Sequence, residues 1–270
     1  MDRRPIGIFD SGLGGLTTVK ELSSILPNED IIYFGDTGRV PYGTRSEETI
    51  IKYVRQDMKF LESHNVKMII AACGTASSVA LNKLENEFEI PAIGVLSPAC
   101  RAAVSVSINN RIAVLATPGT VNSGEYGKRI RAIDKSAVVF EKACPMFVPL
   151  VENGYIDHEV TKIIAKEYIL PLIKDEIDTI ILGCTHYPLL TKVIAEITEN
   201  KIHLINSGLE TAKYAKTLLE NANMLTDSKK TGNIQYFVSD NVERFSYLGG
   251  LFLQKAINTG VKKIDIDKYW

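Results

Sequence analysis

Two stretches decide the fold: Met68-Ile69-Ile70-Ala71-Ala72-Cys73 and Thr179-Ile180-Ile181-Leu182-Gly183-Cys184. Each is a short apolar run, the pattern of a strand covered on both faces in a parallel sheet. Each runs into a cysteine and then into a helix opening, Gly74-Thr75-Ala76-Ser77 in one case and Thr185-His186-Tyr187-Pro188 in the other. Upstream lies another apolar run ending at a polar residue: residues 6–9 before Asp10, and residues 112–116 before Thr117. From Asp10 to Cys73 is 63 residues, and from Thr117 to Cys184 is 67. A strand–Cys–helix unit repeated at near-equal offsets predicts an α/β protein of two pseudo-symmetric lobes. Each is a mostly parallel sheet flanked by helices, with the active site in the cleft between them, at the carboxyl ends of the strands.

The rest of the chain reads as the same alternation of strand and helix. Strands are expected at 6–9, 31–34, 68–72 and 92–96, then at 112–116, 138–140, 179–183 and 202–205, with a last one at 234–238. Helices are expected at 16–26, from a Thr44-Arg45-Ser46-Glu47 capping box to about 64, and at 75–88 and 122–133. A further helix at 157–174 is expected to bend or break near Pro171, and two more follow in the tail. Residues 144–154 read as a long loop, and the strand–helix order restarts around Ser97-Pro98.

Composition narrows the function. The 270 residues are 45% apolar and 23% charged, enough for one large core or two modest ones. Lys and Arg total 31 against 32 for Asp and Glu, a balance without the electrostatic footprint of nucleic-acid or anionic-membrane binding. A small-molecule partner is the expectation. No run approaches the roughly 20 apolar residues of a membrane helix, and the apolar run after Met1-Asp2-Arg3-Arg4 is too brief for a signal peptide. The cysteines, Cys73, Cys100, Cys144 and Cys184, are far apart and form no CxxC, as expected of reduced thiols in a cytoplasmic protein.

A thiol between a buried strand and a helix start has a physical reason to react, because unpaired N–H groups and the helix dipole favour thiolate. Single cysteines are often simply buried, and that reading suffices for Cys100 and Cys144. The matched contexts of Cys73 and Cys184 ask for more. Inverting a stereocentre requires taking a proton from one face and delivering another to the opposite face. Two facing thiols suit that task, since each can act as acid or base near neutral pH. Fixed donors around the substrate carboxylate would then stabilise the carbanion. No lysine stands in a context that suggests a Schiff base, so no cofactor is expected.

Three rival readings are weaker. Asp10-Ser11-Gly12-Leu13-Gly14-Gly15 follows a strand and opens a helix, and Asp36 stands 22 residues beyond Gly14, but Thr17 occupies the third glycine position of a dinucleotide motif. Cys184-Thr185-His186 lacks the paired-ligand spacing of a zinc site, so no metal is expected. His64, His158 and His203 read as packed or solvated side chains. A non-enzymatic binding module would leave both cysteine contexts unexplained.

The chain resembles the bacterial cofactor-independent glutamate racemases of the aspartate/glutamate racemase family. The resemblance rests on Phe9-Asp10-Ser11-Gly12 with Gly14-Gly15-Leu16-Thr17, on Gly35-Asp36-Thr37 with Arg39-Val40-Pro41-Tyr42-Gly43, on Cys73 with Thr75-Ala76-Ser77, and on Gly183-Cys184-Thr185-His186-Tyr187-Pro188-Leu189-Leu190. His186 after Cys-Thr, with Pro41-Tyr42-Gly43, resembles the glutamate branch rather than the aspartate branch. The order of strands and helices agrees along nearly the whole chain.

The resemblance implies a racemase interconverting L- and D-glutamate, with Cys184 deprotonating the L-enantiomer and Cys73 the D-enantiomer. It implies that Asp10 assists at Cys73, and His186 and Glu152 at Cys184. Asp10, Ser11, Pro41, Tyr42, Gly43, Gly74, Thr75, Thr117, Thr120, Thr185 and His186 would hold the substrate. It further implies D-glutamate supply for peptidoglycan and hence cell shape, a homodimer, and lobes of residues 1–96 plus 208–270 and of residues 97–207. Relatives under control by a cell-wall precursor carry an N-terminal extension. Here Asp-Ser-Gly begins at residue 10, so no such control is expected. One departure stands out: Gly74 replaces the family's Asn, while Gly38 for Ala is a milder change. Restoring the amide by Gly74→Asn is expected to lower KM for glutamate.

Overall fold

The computed structural model describes residues 1–257 and 260–270. Two parallel sheets organise it. The strands are β1 (Ile6–Asp10), β2 (Ile31–Gly35), β3 (Met68–Ala71), β4 (Ala92–Gly94), β5 (Arg111–Ala116), β6 (Val138–Ala143), β7 (Thr179–Leu182), β8 (His203–Asn206), β9 (Ile234–Val238) and β10 (Val261–Lys263). The first sheet has the order β10-β9-β2-β1-β3-β4 and the second β6-β5-β7-β8. Every described pairing is parallel.

The expected repeat is present. Within the first sheet, β2-β1-β3-β4 has the same order as β6-β5-β7-β8 in the second, and β9 and β10 extend only the first. The strand ending at Asp10 pairs with the one leading to Cys73, and the strand before Thr117 pairs with the one leading to Cys184. Both cysteines therefore leave equivalent positions at the carboxyl ends of their sheets. The central strands β1, β2, β3 and β7 are buried along their whole length, which explains their unbroken apolar runs.

Several expected elements differ in detail. Residues 92–96 give a strand only to Gly94, and a helix follows at Leu96–Val106, where Pro98 is tolerated in the first turn and Leu96, Ala99, Cys100 and Ala103 form the buried face. The capping residue of Glu47–Glu62 is Ser46, whose hydroxyl accepts from the Thr49 N–H, not Thr44. The stretch 75–88 is broken into Gly74–Val79, Leu81–Leu84 and a short turn. Gly124, at φ 63°, divides the expected 122–133 helix into Pro118–Ser123 and Glu125–Ile133. Pro171 does not break Glu159–Lys174. The expected loop at 144–154 contains the helix Phe147–Glu152. The tail supplies the two expected helices, Ser207–Asn221 and Val242–Leu253, together with β10, which was not anticipated.

Candidate active site

Between the carboxyl ends of the two sheets lies a cavity of about 300 Å³. Cys73 and Cys184 both line it, joined by Ser11, Pro41, Tyr42, Gly43, Gly74, Thr75, Thr117, Thr185 and His186. Most of the residues singled out in the sequence thus meet at one place. Among the described residues no Lys or Arg lines it. Hydroxyls, backbone N–H groups and the His186 ring are what it offers an anion.

Cys73 is the N-cap of Gly74–Val79, and its sulfur accepts from the Ala76 N–H at 3.5 Å. Its thiol donates to the Ser11 hydroxyl at 3.6 Å. Burial and the nearby Asp10 carboxylate push this thiol up to about 12, against the pull of those two hydrogen-bond partners. Cys73 therefore holds its proton at neutral pH.

The Cys184 side is built differently. Its sulfur lies 3.8 Å from Nδ1 of His186, and Nε2 of that ring lies 3.1 Å from Oε1 of Glu152. Burial disfavours a charged imidazole, but Cys184 and Glu152 outweigh it and draw His186 up to about 10. Burial works to raise Glu152, yet His186 and Arg244 bring its carboxyl below its ordinary value. An ionised carboxylate and an imidazolium stand in line behind the sulfur. Glu152 lies outside the main cavity, lining a smaller one of about 110 Å³ with Arg244 and Phe245.

Asp10, at the carboxyl end of β1, is buried and does not line the main cavity. Its carboxylate accepts from the Gly12 N–H at 3.0 Å and from the Thr185 hydroxyl at 3.4 Å. Burial raises its pKa, opposed by the charge of His186 and by these donors. Asp10 is thus tied to the Cys184 side as well as to Cys73. Thr17, at the position where a dinucleotide motif needs glycine, donates to the carbonyl oxygens of Gly14 and Thr185 and fastens the glycine-rich turn to the second sheet's loop.

The threonines form a cluster across the cleft. Thr75 Oγ1 is 3.0 Å from that of Thr117 and 3.3 Å from that of Thr120, and Thr117 and Thr120 are 3.0 Å apart. Thr120 is fully buried and braces the other two from behind. Tyr42 also departs from a simple expectation. It lines the cavity, but its hydroxyl donates to the buried carboxylates of Asp36 and Asp57, with Arg39 alongside.

Two close approaches bracket the cavity. A Cβ on Gly119 would lie 2.7 Å from the carbonyl oxygen of Gly43, and one on Gly74 would meet the carbonyl of Gly183. Both join backbone following strands of one sheet to backbone belonging to the other.

Sequence reasoning missed part of the wall. Cys144, Pro145, Val148 and Pro149 line it from the segment expected as a loop. The proline-flanked apolar run Phe147-Val148-Pro149-Leu150-Val151 carried the signal for that wall. His158 proves to be the N-cap of Glu159–Lys174.

Residues 17–215 match the model of the Asp/Glu/Hydantoin racemase family. The chain belongs to that family. It is accordingly a racemase, an isomerase built on two parallel sheets flanked by helices. Family members similar to it include the glutamate racemase of Geobacter metallireducens, 44% identical over 253 residues that cover 94% of each chain. That of Chlorobaculum tepidum is 46% identical over 250 residues, 92% of each chain. The crystal structure of glutamate racemase from Francisella tularensis in complex with D-glutamate matches with a TM-score of 0.93 and 39% identity, covering all of both chains.

Proposed function

We propose that this chain is a glutamate racemase working by two thiols. The observation that carries this reading is the convergence of Cys73 and Cys184, from equivalent strand ends of two like-ordered sheets, on one cavity that no described Lys or Arg lines. The names of the relatives supply the substrate.

Cys184 as thiolate takes the α-proton of L-glutamate, and the C–H electron pair stays on the substrate as a carbanion delocalised into the carboxylate. The Cys73 thiol, protonated in the resting site, delivers its proton to the opposite face and becomes thiolate. D-glutamate runs the same steps in reverse. The raised pKa of Cys73 supports a resting state with the proton on this side. His186, held by Glu152, supports the negative charge on Cys184. The hydroxyls of Ser11, Thr75, Thr117 and Thr185 and the N–H groups at Gly43 and Gly74 hold the carboxylates as neutral donors that need no reorganisation during the step. Thr120 acts through Thr75 and Thr117, Pro41 shapes the rim, and Tyr42 contributes its backbone and ring. Asp10, tied to Thr185, serves Cys73 and receives the substrate ammonium.

On this reading the product D-glutamate serves peptidoglycan synthesis in the cytoplasm, and the protein works without a cofactor and as a homodimer. The lobes are residues 1–96 with 208–270, and 97–207. The test is purified protein with either enantiomer of glutamate, no added cofactor, and aspartate as comparison. Circular dichroism should decay to zero with glutamate. A requirement for pyridoxal phosphate, or preference for aspartate, would overturn the reading.

A further inference from the structure

The helix Val242–Leu253 belongs to the C-terminal tail and packs on Leu16–Ile25 and β10, on the side of the first sheet. Two of its side chains cross to the other half. Arg244 Nη2 donates to Oε2 of Glu152 at 3.2 Å, while the other oxygen of that carboxylate faces His186. Eight residues on, along the same helix face, the Phe252 ring stands edge-to-face against the His186 imidazole, with centroids 5.2 Å apart and planes at 88°. The last links behind Cys184 are therefore fixed from across the cleft. Among the described residues Cys73 has no such arrangement, since Ser11 comes from the loop after β1 and Ala76 from the helix that Cys73 itself caps, both on its own sheet.

We propose that Arg244 is a positioning residue for the Cys184 half of the reaction. By taking one oxygen of Glu152 it turns the other toward His186, so that the base behind Cys184 is complete only when the two halves are apposed. A carboxylate with both oxygens engaged cannot rotate away from the imidazole, and misplacing a catalytic group by about 1 Å can slow a reaction about 100-fold. The Arg244 side chain is 53% exposed, and exposed ion pairs add little to stability. Loss of function on removing it would therefore come without loss of fold.

This inference rests on the two-thiol reading, and the test separates the two. Arg244→Gln should lower kcat about 10- to 100-fold with KM nearly unchanged and an unaltered melting temperature, and Arg244→Lys should recover most of it. In a Glu152→Gln background, Arg244→Gln should add nothing, because it acts through Glu152. A second arm needs no turnover: iodoacetamide labelling of the resting protein, read by mass spectrometry. There Arg244→Gln should slow modification of Cys184 and leave that of Cys73 unchanged. Independent losses in the double mutant, or labelling of Cys184 at the wild-type rate, would overturn the proposal. Slowed labelling in a protein that does not racemise glutamate would instead overturn the substrate reading and leave the role of Arg244 intact.

Discussion

The Cβ that Gly74 lacks would stand under 3.0 Å from the carbonyl oxygen of Gly183. That separation is far inside van der Waals contact, and the obstructing atom is backbone, which cannot swing aside as a side chain can. Gly74 has an ordinary helical φ, so close approach and not backbone conformation is what demands glycine here. The expectation that Gly74→Asn would improve substrate binding therefore reverses. Any side chain at 74 must push the Gly183 loop, and Cys184 with it, away from Cys73. Gly74→Asn and Gly74→Ala are both expected to raise KM and lower kcat in a folded protein. Steady-state kinetics in both directions, with thermal melts as control, check this, and a lower KM in the Asn variant would refute the steric account.

If each thiol serves one face, as the two-thiol proposal has it, removing either should slow the reaction in both directions. Cys73→Ala and Cys184→Ala are expected to lose about 10²- to 10⁴-fold in rate, the usual contribution of a general acid–base group. Cys100 is buried away from the cavity, and Cys100→Ala should keep near-normal turnover. Cys144 forms part of the cavity wall, with its thiol turned to the Lys142 carbonyl. Its replacement should alter KM rather than abolish turnover. Polarimetric assays of the purified variants distinguish these outcomes.

Two separate bases predict a particular isotope pattern. In deuterated water, early product should carry label at the α-carbon while unreacted substrate stays largely protiated. Mass spectrometry of the separated enantiomers reads this directly. Fast label in recovered substrate would point to a single base.

The supporting residues should act unequally. His186→Asn is expected to slow mainly kcat for L-glutamate, because its ring faces the Cys184 sulfur. Asp10→Asn should touch both directions, because Asp10 contacts Thr185 on the Cys184 side and lies close enough to Cys73 to raise its pKa. Equal slowing by His186→Asn in both directions of kcat would count against this division.

Stability should fall as the solution becomes alkaline. His186 titrates at about 10 in the folded protein against 6.5 for a free side chain, and Cys73 at about 12 against 9.0. Both groups bind protons more tightly folded than unfolded, so the native state loses ground as pH rises. The contribution of His186 is complete below about pH 6.5 and gone above about 10, and that of Cys73 declines between about pH 9 and 12. The urea midpoint should drop from pH 7 to pH 10, and His186→Asn should flatten that slope. A rising midpoint over this window would contradict the assignment.

Much of this was legible in the chain because both signals were local. Continuous apolar runs marked the central strands, and the residue after each run marked the cleft. The threonines that cap helices, Thr117 among them, were visible for the same reason. What escaped depends on partners distant in sequence. Arg244 acquires its place only because Val242–Leu253 folds back across the cleft, and no pattern near residue 244 announces that. Nothing around Tyr42 shows that Asp57, fifteen residues on, takes its hydroxyl. The wall at 144–149 was hidden because Pro145 and Pro149 read as loop punctuation, whereas one sits before a short helix and the other within it.

The like-ordered halves bear on a difficulty peculiar to this class of catalyst. A racemase must treat an object and its mirror image alike, yet every residue of the chain has one handedness, and no fold of L-amino acids contains a reflection. Two units with the order β2-β1-β3-β4 and β6-β5-β7-β8 share one topology and one handedness, so what relates them is a rotation and never a reflection. On the two-thiol proposal, such a rotation would set equivalent thiols at opposite faces of one carbon without altering the chirality of either. The equivalence stops at the sulfurs, because a rotation does not oblige the surroundings of the two thiols to match. The enzyme can therefore favour one bound enantiomer over the other while leaving the equilibrium between them in water untouched.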